Sequence, residues 1–98
     1  MNRENDIAKL SQQHHLIKKY QVKTISLFGS LARDEAGPGS DIDLLVEFEP
    51  TAGVGLFEFA RLRRELSQLL GCEIDLATPD SLRKTMKSEI MKEAIRAA

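Results

Sequence analysis

Apolar and polar positions alternate from Asp41 to Phe48. Ile42, Leu44, Val46 and Phe48 fall on one side, and Asp41, Asp43, Leu45 and Glu47 on the other. A period of two is that of a strand with one buried face, so the apolar side goes to the core and both aspartates point to the opposite side of the sheet. Upstream, Val22 to Phe28 is rich in strand formers, and Gly29 ends it. Earlier still, Ile7, Leu10, Ile17 and Tyr20 share one side of a predicted helix, with Asn5 or Asp6 as its cap. Beyond Pro50, Leu56, Phe59, Ala60, Leu66 and Leu70 follow helical spacing, and Gly71 is placed to end that helix. Most of Leu56, Phe57 and Phe59 are assigned to the core. Cys72 to Thr78 reads as a third strand with Ile74 and Leu76 inward, which puts Glu73 and Asp75 on the other face. Thr78-Pro79 opens a helix with proline at its first position. Met86, Ile90 and Ile95 mark a last helical segment, interrupted or ending in a short edge strand.

Helices and strands thus alternate over one domain, residues 1–98, of α/β (α+β) class. If the third strand pairs beside the second, Asp75 joins the face that carries Asp41 and Asp43. Phase alone gives this result. Side chains two apart on a strand lie about 6.5–7 Å apart along the backbone. Such carboxylates suit hard cations, and Mg²⁺ usually takes one or two carboxylates together with substrate phosphates. Gly29 lets the backbone approach a phosphate closely, and Ser30 adds a hydroxyl at the free N–H groups of a short helix. The pattern points to metal-assisted phosphoryl or nucleotidyl transfer, with two ions serving the attacking and leaving groups. Neither a G-x-x-x-x-G-K-[ST] nor a G-x-G-x-x-G sequence is present, so a P-loop is excluded.

Composition narrows the partners. The formal net charge is −1 with 30% charged residues, which gives no basic field for direct nucleic-acid binding. A single cysteine, Cys72, makes no internal disulfide and reads as a small buried hydrophobe. No segment reaches the length of a membrane span, and Met1 to Asp6 is too polar to open a signal peptide, so a cytoplasmic protein is expected. His14 and His15 sit on a polar stretch and face different directions, which makes them exposed and not a metal pair.

Gly29-Ser30-Leu31-Ala32-Arg33, then Ser40-Asp41-Ile42-Asp43-Leu44-Leu45-Val46, resembles the minimal nucleotidyltransferase family. Its members are small relatives of the DNA polymerase beta superfamily, with a G-S turn followed after about ten residues by D-x-D. The order of elements is similar over nearly the whole chain. The resemblance implies the nucleotidyltransferase fold, a small mixed sheet with helices packed mainly on one face. It also implies ATP as substrate and two Mg²⁺ ions. By that match Asp41, Asp43 and Asp75 are the catalytic and metal-holding residues, with Asp75 also helping to deprotonate the acceptor hydroxyl. Gly29, Ser30, Arg33 and Ser40 form the nucleotide-binding set. Arg33 stays open between a phosphate ligand and a surface ion-pair residue. Lys84 and Lys87 stay open between solvated lysines and phosphate contacts. The family often has glycine after the arginine, where this chain has Asp34.

Many family members are antitoxins encoded beside a HEPN-family ribonuclease, and some transfer AMP to a tyrosine of that toxin. The resemblance therefore implies a protein adenylyltransferase acting on a HEPN toxin in a hetero-oligomer. Two other readings stand beside it. One is a non-catalytic antitoxin that neutralises its partner by binding. The other is transfer to a small molecule of aminoglycoside type, which needs a homodimer to build its acceptor pocket.

Overall fold

A single sheet with strand order β3-β2-β1-β4 organises the chain. The strands are β1 (Val22–Phe28), β2 (Ile42–Phe48), β3 (Ile74–Ala77) and β4 (Ile95–Arg96). The structure is a computed structural model and describes residues 3–32 and 41–98. β2 pairs antiparallel with β1 and parallel with β3, while β4 adds antiparallel to the outer side of β1. The sheet is mixed, and the short edge strand at Ile95 is as expected. Parallel neighbours need a crossover. Helix α4 (Leu56–Leu70) supplies it between β2 and β3.

Ile42, Leu44 and Val46 are buried, as the alternation requires. They join Ile25 and Leu27 of β1, Ile74 and Leu76 of β3, and Leu62, Leu66 and Leu70 of α4 in one core. In β1, Val22 is buried together with Ile25 and Leu27 despite its opposite parity. A register shift between Val22 and Thr24 accounts for this, because an extra residue in one strand inverts the facing of the residues after it. Leu45 lies on the aspartate face of β2, yet it is buried. Neither Leu45 nor the buried Ile90 belongs to the main core cluster. The aspartate face is thus not uniformly open to solvent.

The first helical stretch is two helices, α1 (Arg3–Ser11) and α2 (His14–Lys19), with a break at Gln12 and Gln13. Asp6 does not cap α1. It lies inside the helix and is buried beside Leu10, since i and i+4 share a helical face. Helix α4 also departs from expectation. Its buried stripe is Leu62, Leu66 and Leu70. At 100° per residue, Leu56, Phe57 and Ala60 fall roughly 120–160° away from Leu62. Leu56 is 81% and Phe57 84% exposed, so neither belongs to the core. Phe59 is half-buried and meets Phe48 edge to face, with ring centroids 6.5 Å apart.

Gly71 ends α4 at φ 71°, and its N–H donates to the Ser67 carbonyl at 2.8 Å. This is the left-handed stop that the glycine signals. Two side chains of α4 then hold the start of β3. Ser67 Oγ donates to the Cys72 carbonyl at 2.6 Å, and Arg63 Nε donates to the Ile74 carbonyl at 3.0 Å. Pro79 opens a single 3-10 turn (Pro79–Ser81) and not a longer helix. The last helix, α5 (Lys84–Glu93), starts after it and touches the short helix α3 (Gly29–Ala32). Among the described residues no helix is long and apolar enough to cross a membrane.

Lys19, Tyr20 and Glu65 fasten α2 to α4. Lys19 Nζ meets Glu65 Oε1 at 3.2 Å and lies 5.2 Å from the centre of the Tyr20 ring. The buried Tyr20 hydroxyl and Glu65 Oε2 are neighbours without closing a hydrogen bond of full geometry. Burial, and after it the Glu65 carboxylate, pushes the Tyr20 phenol up to about 12. A phenol with a raised folded pKa stabilises the fold fully below its unfolded pKa, and that contribution is lost as pH rises. Stability is therefore expected to fall as pH climbs from about 10 to about 12. Tyr20→Phe removes this alkaline step, read as the difference in melting temperature between wild type and variant across that range.

Candidate active site

Phe28, the last residue of β1, is paired with Asp43 of β2. Gly29 follows at φ 71° and turns the chain into α3, a conformation that residues with a Cβ rarely adopt. Space gives a second reason for glycine. A Cβ at position 29 would collide with Asp43 Oδ2 and would lie 3.0 Å from Asp43 Cγ. The close approach at this turn is made by the strand's own carboxylate. Asp43 is half-buried there.

On its other side β2 runs parallel to β3, and Asp43 is in register with Asp75. Adjacent strands lie about 4.8 Å apart, and in-register residues project to the same face. The pairing that sequence phase made conditional is therefore present, and it sets two carboxylates side by side next to Gly29. Asp75 is exposed. Asp41 is exposed immediately before β2, two residues from Asp43, where the Ile42 N–H donates to the Glu73 carbonyl at 3.1 Å. Among the described residues, no three His, Cys, Asp or Glu side chains are gathered in a metal-holding group. The donors at this end of the sheet are hard oxygens, and the adjacent pair matches the one or two protein carboxylates of a Mg²⁺ site completed by phosphates. The residues present fit that group.

Ser30 is the second residue of α3. Arg33, Ser40 and Asp34 lie outside the described residues. Lys84 and Lys87 are exposed on α5.

Two residues that the sequence did not single out for the site stand close to it in the fold. Arg3 Nη1 donates to the Ala32 carbonyl at 2.8 Å, which ties α1 to the end of the turn helix. The last carbonyls of a helix have no partner within it, so this charged donor satisfies one and suits the negative end of the helix dipole. Nothing in the local pattern marks Arg3. Asp6 is the other, and burial raises its pKa. Its signal was its place on the Leu10 side of α1. Cys72 is half-buried, and its thiol is pushed up by burial first, then by the charges of Asp6, Asp41 and Glu73. These carboxylates give the start of β2 and β3 a negative field, which suits cation-assisted chemistry.

The chain matches the family model described as a nucleotidyltransferase domain over residues 11–97. A candidate protein adenylyltransferase of Methanocaldococcus jannaschii is 42% identical over 80 residues, spanning 82% of this chain and 84% of that protein. A solved structure of a candidate minimal nucleotidyltransferase is 35% identical, with a TM-score of 0.77 over 97% of this chain and 95% of its own. A toxin–antitoxin solved with AMP-PNP shares the fold, with a TM-score of 0.72 at 22% identity over 100% of this chain and 73% of that one. This chain belongs to the nucleotidyltransferase domain family, with the fold of its minimal members.

Gly29→Ala is expected to cost about 1–3 kcal/mol from left-handed strain together with displacement of Asp43. Gly71→Ala, where nothing lies within 4 Å of the added Cβ, pays the strain alone. In urea unfolding, Gly29→Ala should therefore be the more damaging change. Asp43→Ala in the same chain should recover the part due to the collision, read as a double-mutant coupling.

Proposed function

We propose that this chain is an antitoxin that adenylylates its partner: it transfers AMP from ATP to a tyrosine hydroxyl of a HEPN-type toxin. The observation that carries the reading is the Gly29 turn packed against Asp43, with Asp75 in register beside it. The family match and the relative named as a candidate protein adenylyltransferase support the transfer. The fold shared with a toxin–antitoxin solved with AMP-PNP supports the nucleotide and the kind of partner.

In this reading Asp43 and Asp75, side by side, would hold Mg²⁺ together with Asp41 two residues before Asp43. Mg²⁺ held there would supply charge neutralisation for the phosphates and would favour ionisation of the attacking hydroxyl. Asp75, exposed at the sheet edge, takes the proton of the acceptor hydroxyl. The hydroxyl oxygen forms a bond to the α-phosphorus of ATP, the bond from that phosphorus to the bridging oxygen breaks, and pyrophosphate leaves with the bond electrons. Gly29 and Ser30, with Arg33 and Ser40, position the triphosphate. In-line displacement demands positioning and charge stabilisation more than covalent help, which suits so small a site.

The test incubates the chain with ATP labelled at the α-phosphate, Mg²⁺ and the protein encoded by the adjacent gene. Label is expected on a tyrosine of the partner. Asp43→Asn should lower the rate at least about a hundredfold, since several kcal/mol of charge stabilisation are at stake. An unlabelled partner under every metal tried overturns transfer. Protection of cells by an Asp41→Asn, Asp43→Asn variant would show that binding alone neutralises the toxin.

A further inference from the structure

The far end of the sheet carries a second surface. Phe48 closes β2 five residues beyond Asp43, roughly 17 Å away at strand rise. There a hollow of about 440 Å³ is lined by Phe48, Val54, Leu56, Phe59 and Leu76. Leu56, which lines it, and the next residue of α4, Phe57, stand 81% and 84% exposed. Single exposed apolar residues are ordinary, but two large adjacent ones beside an apolar hollow form a patch of the kind that marks an interface.

The side of this patch that borders β2 and Pro79 is acidic, while exposed Arg61 follows one turn after Phe57 on α4. A neighbouring cleft of about 480 Å³ shares Phe48 and Thr78 with the hollow and is lined by Glu47, Glu49 and Asp80. None of these three carboxylates makes an ion pair among the described residues. Glu58, in the first turn of α4, turns back to accept the Gly55 N–H at 3.1 Å and adds a fourth negative charge.

The charge decides between occupants. A two-fold contact between copies of this chain would set the same patch against itself and bring Glu47, Glu49 and Asp80 of both copies together. An acidic rim also repels phosphate, whether of nucleic acid or of lipid. A protein segment with a bulky apolar side chain flanked by lysine or arginine satisfies both parts of the surface: the apolar residue fills the hollow and the cations meet the rim.

We infer that the Leu56–Phe57 patch with its Glu47–Glu49–Asp80 rim is the docking site for such a basic–apolar segment of the protein partner, centred at the end of β2 away from Asp43 and on the apolar face of the sheet, opposite the carboxylates. The inference rests on the proposed toxin partner and adds where that partner is gripped. A grip at this distance holds the complex without occupying the site at Asp43 and Asp75.

The experiment measures binding of the adjacent gene's protein to the full chain by calorimetry. Phe57→Asp is expected to weaken Kd about thirtyfold or more, as a central apolar anchor does. Glu47→Lys with Glu49→Lys should slow association and flatten its salt dependence. Both variants should keep the wild-type melting temperature and its rise with Mg²⁺ and ATP, because Phe57 and Glu49 are exposed, Glu47 is only half-buried, and none of the three belongs to the carboxylate site. Unchanged affinity in both variants overturns the inference. A concentration-dependent dimer of the chain alone, abolished by Phe57→Asp, overturns it in favour of a homodimer face. No complex with the wild-type chain overturns both this inference and the proposed partner. A complex that forms without AMP transfer overturns the transfer and leaves the docking site standing.

Discussion

The register of β2 is the constraint on which the rest depends. Ile42, Leu44 and Val46 must be buried, and that requirement holds the strand in one phase between β1 and β3. In this phase Asp43 faces Phe28 on one side and Asp75 on the other. A slip of one residue would send the aspartates into the core and the aliphatic residues to the site. Burial of several aliphatic side chains, each worth about 1.5–3 kcal/mol, therefore places charged groups that would not converge unaided.

The neighbouring elements serve that register. Gly29 bends the chain away where the Asp43 carboxylate needs room, so the turn and the carboxylate specify each other. Arg3 closes the turn helix from outside. Ser67 and Arg63 hold the backbone of β3 just before and beside Asp75. The end of the sheet that carries Asp43 and Asp75 is thus held by strand pairing and backbone hydrogen bonds, while Leu56 and Phe57 at the start of α4 stay in solvent. In the proposed reading, transfer is served by the Asp43 end of β2 and the partner is gripped beside its Phe48 end, at the start of α4.

Some of this was legible in the order of residues. The alternation of Ile42, Leu44 and Val46 with Asp41 and Asp43 is a local property of a strand, and Gly71 is a local property of a helix end. The Gly29-Ser30 and Asp41-x-Asp43 signature is likewise read along the chain, and the family match bears out the class it suggested. Periodicity says which residues share a face, because neighbours in sequence fix that angle.

What periodicity does not carry is which face meets which. That Asp75 stands beside Asp43, that an added Cβ at Gly29 would strike that same carboxylate, and that Arg3 reaches Ala32 are outcomes of contacts 14 or more residues apart. The exposure of Leu56 and Phe57 and the burial of Asp6 were decided the same way, by where α4 and α1 lie against the sheet. A hydrophobic side chain states a preference for burial, but only the closed sheet and its crossover determine how many such preferences one surface satisfies.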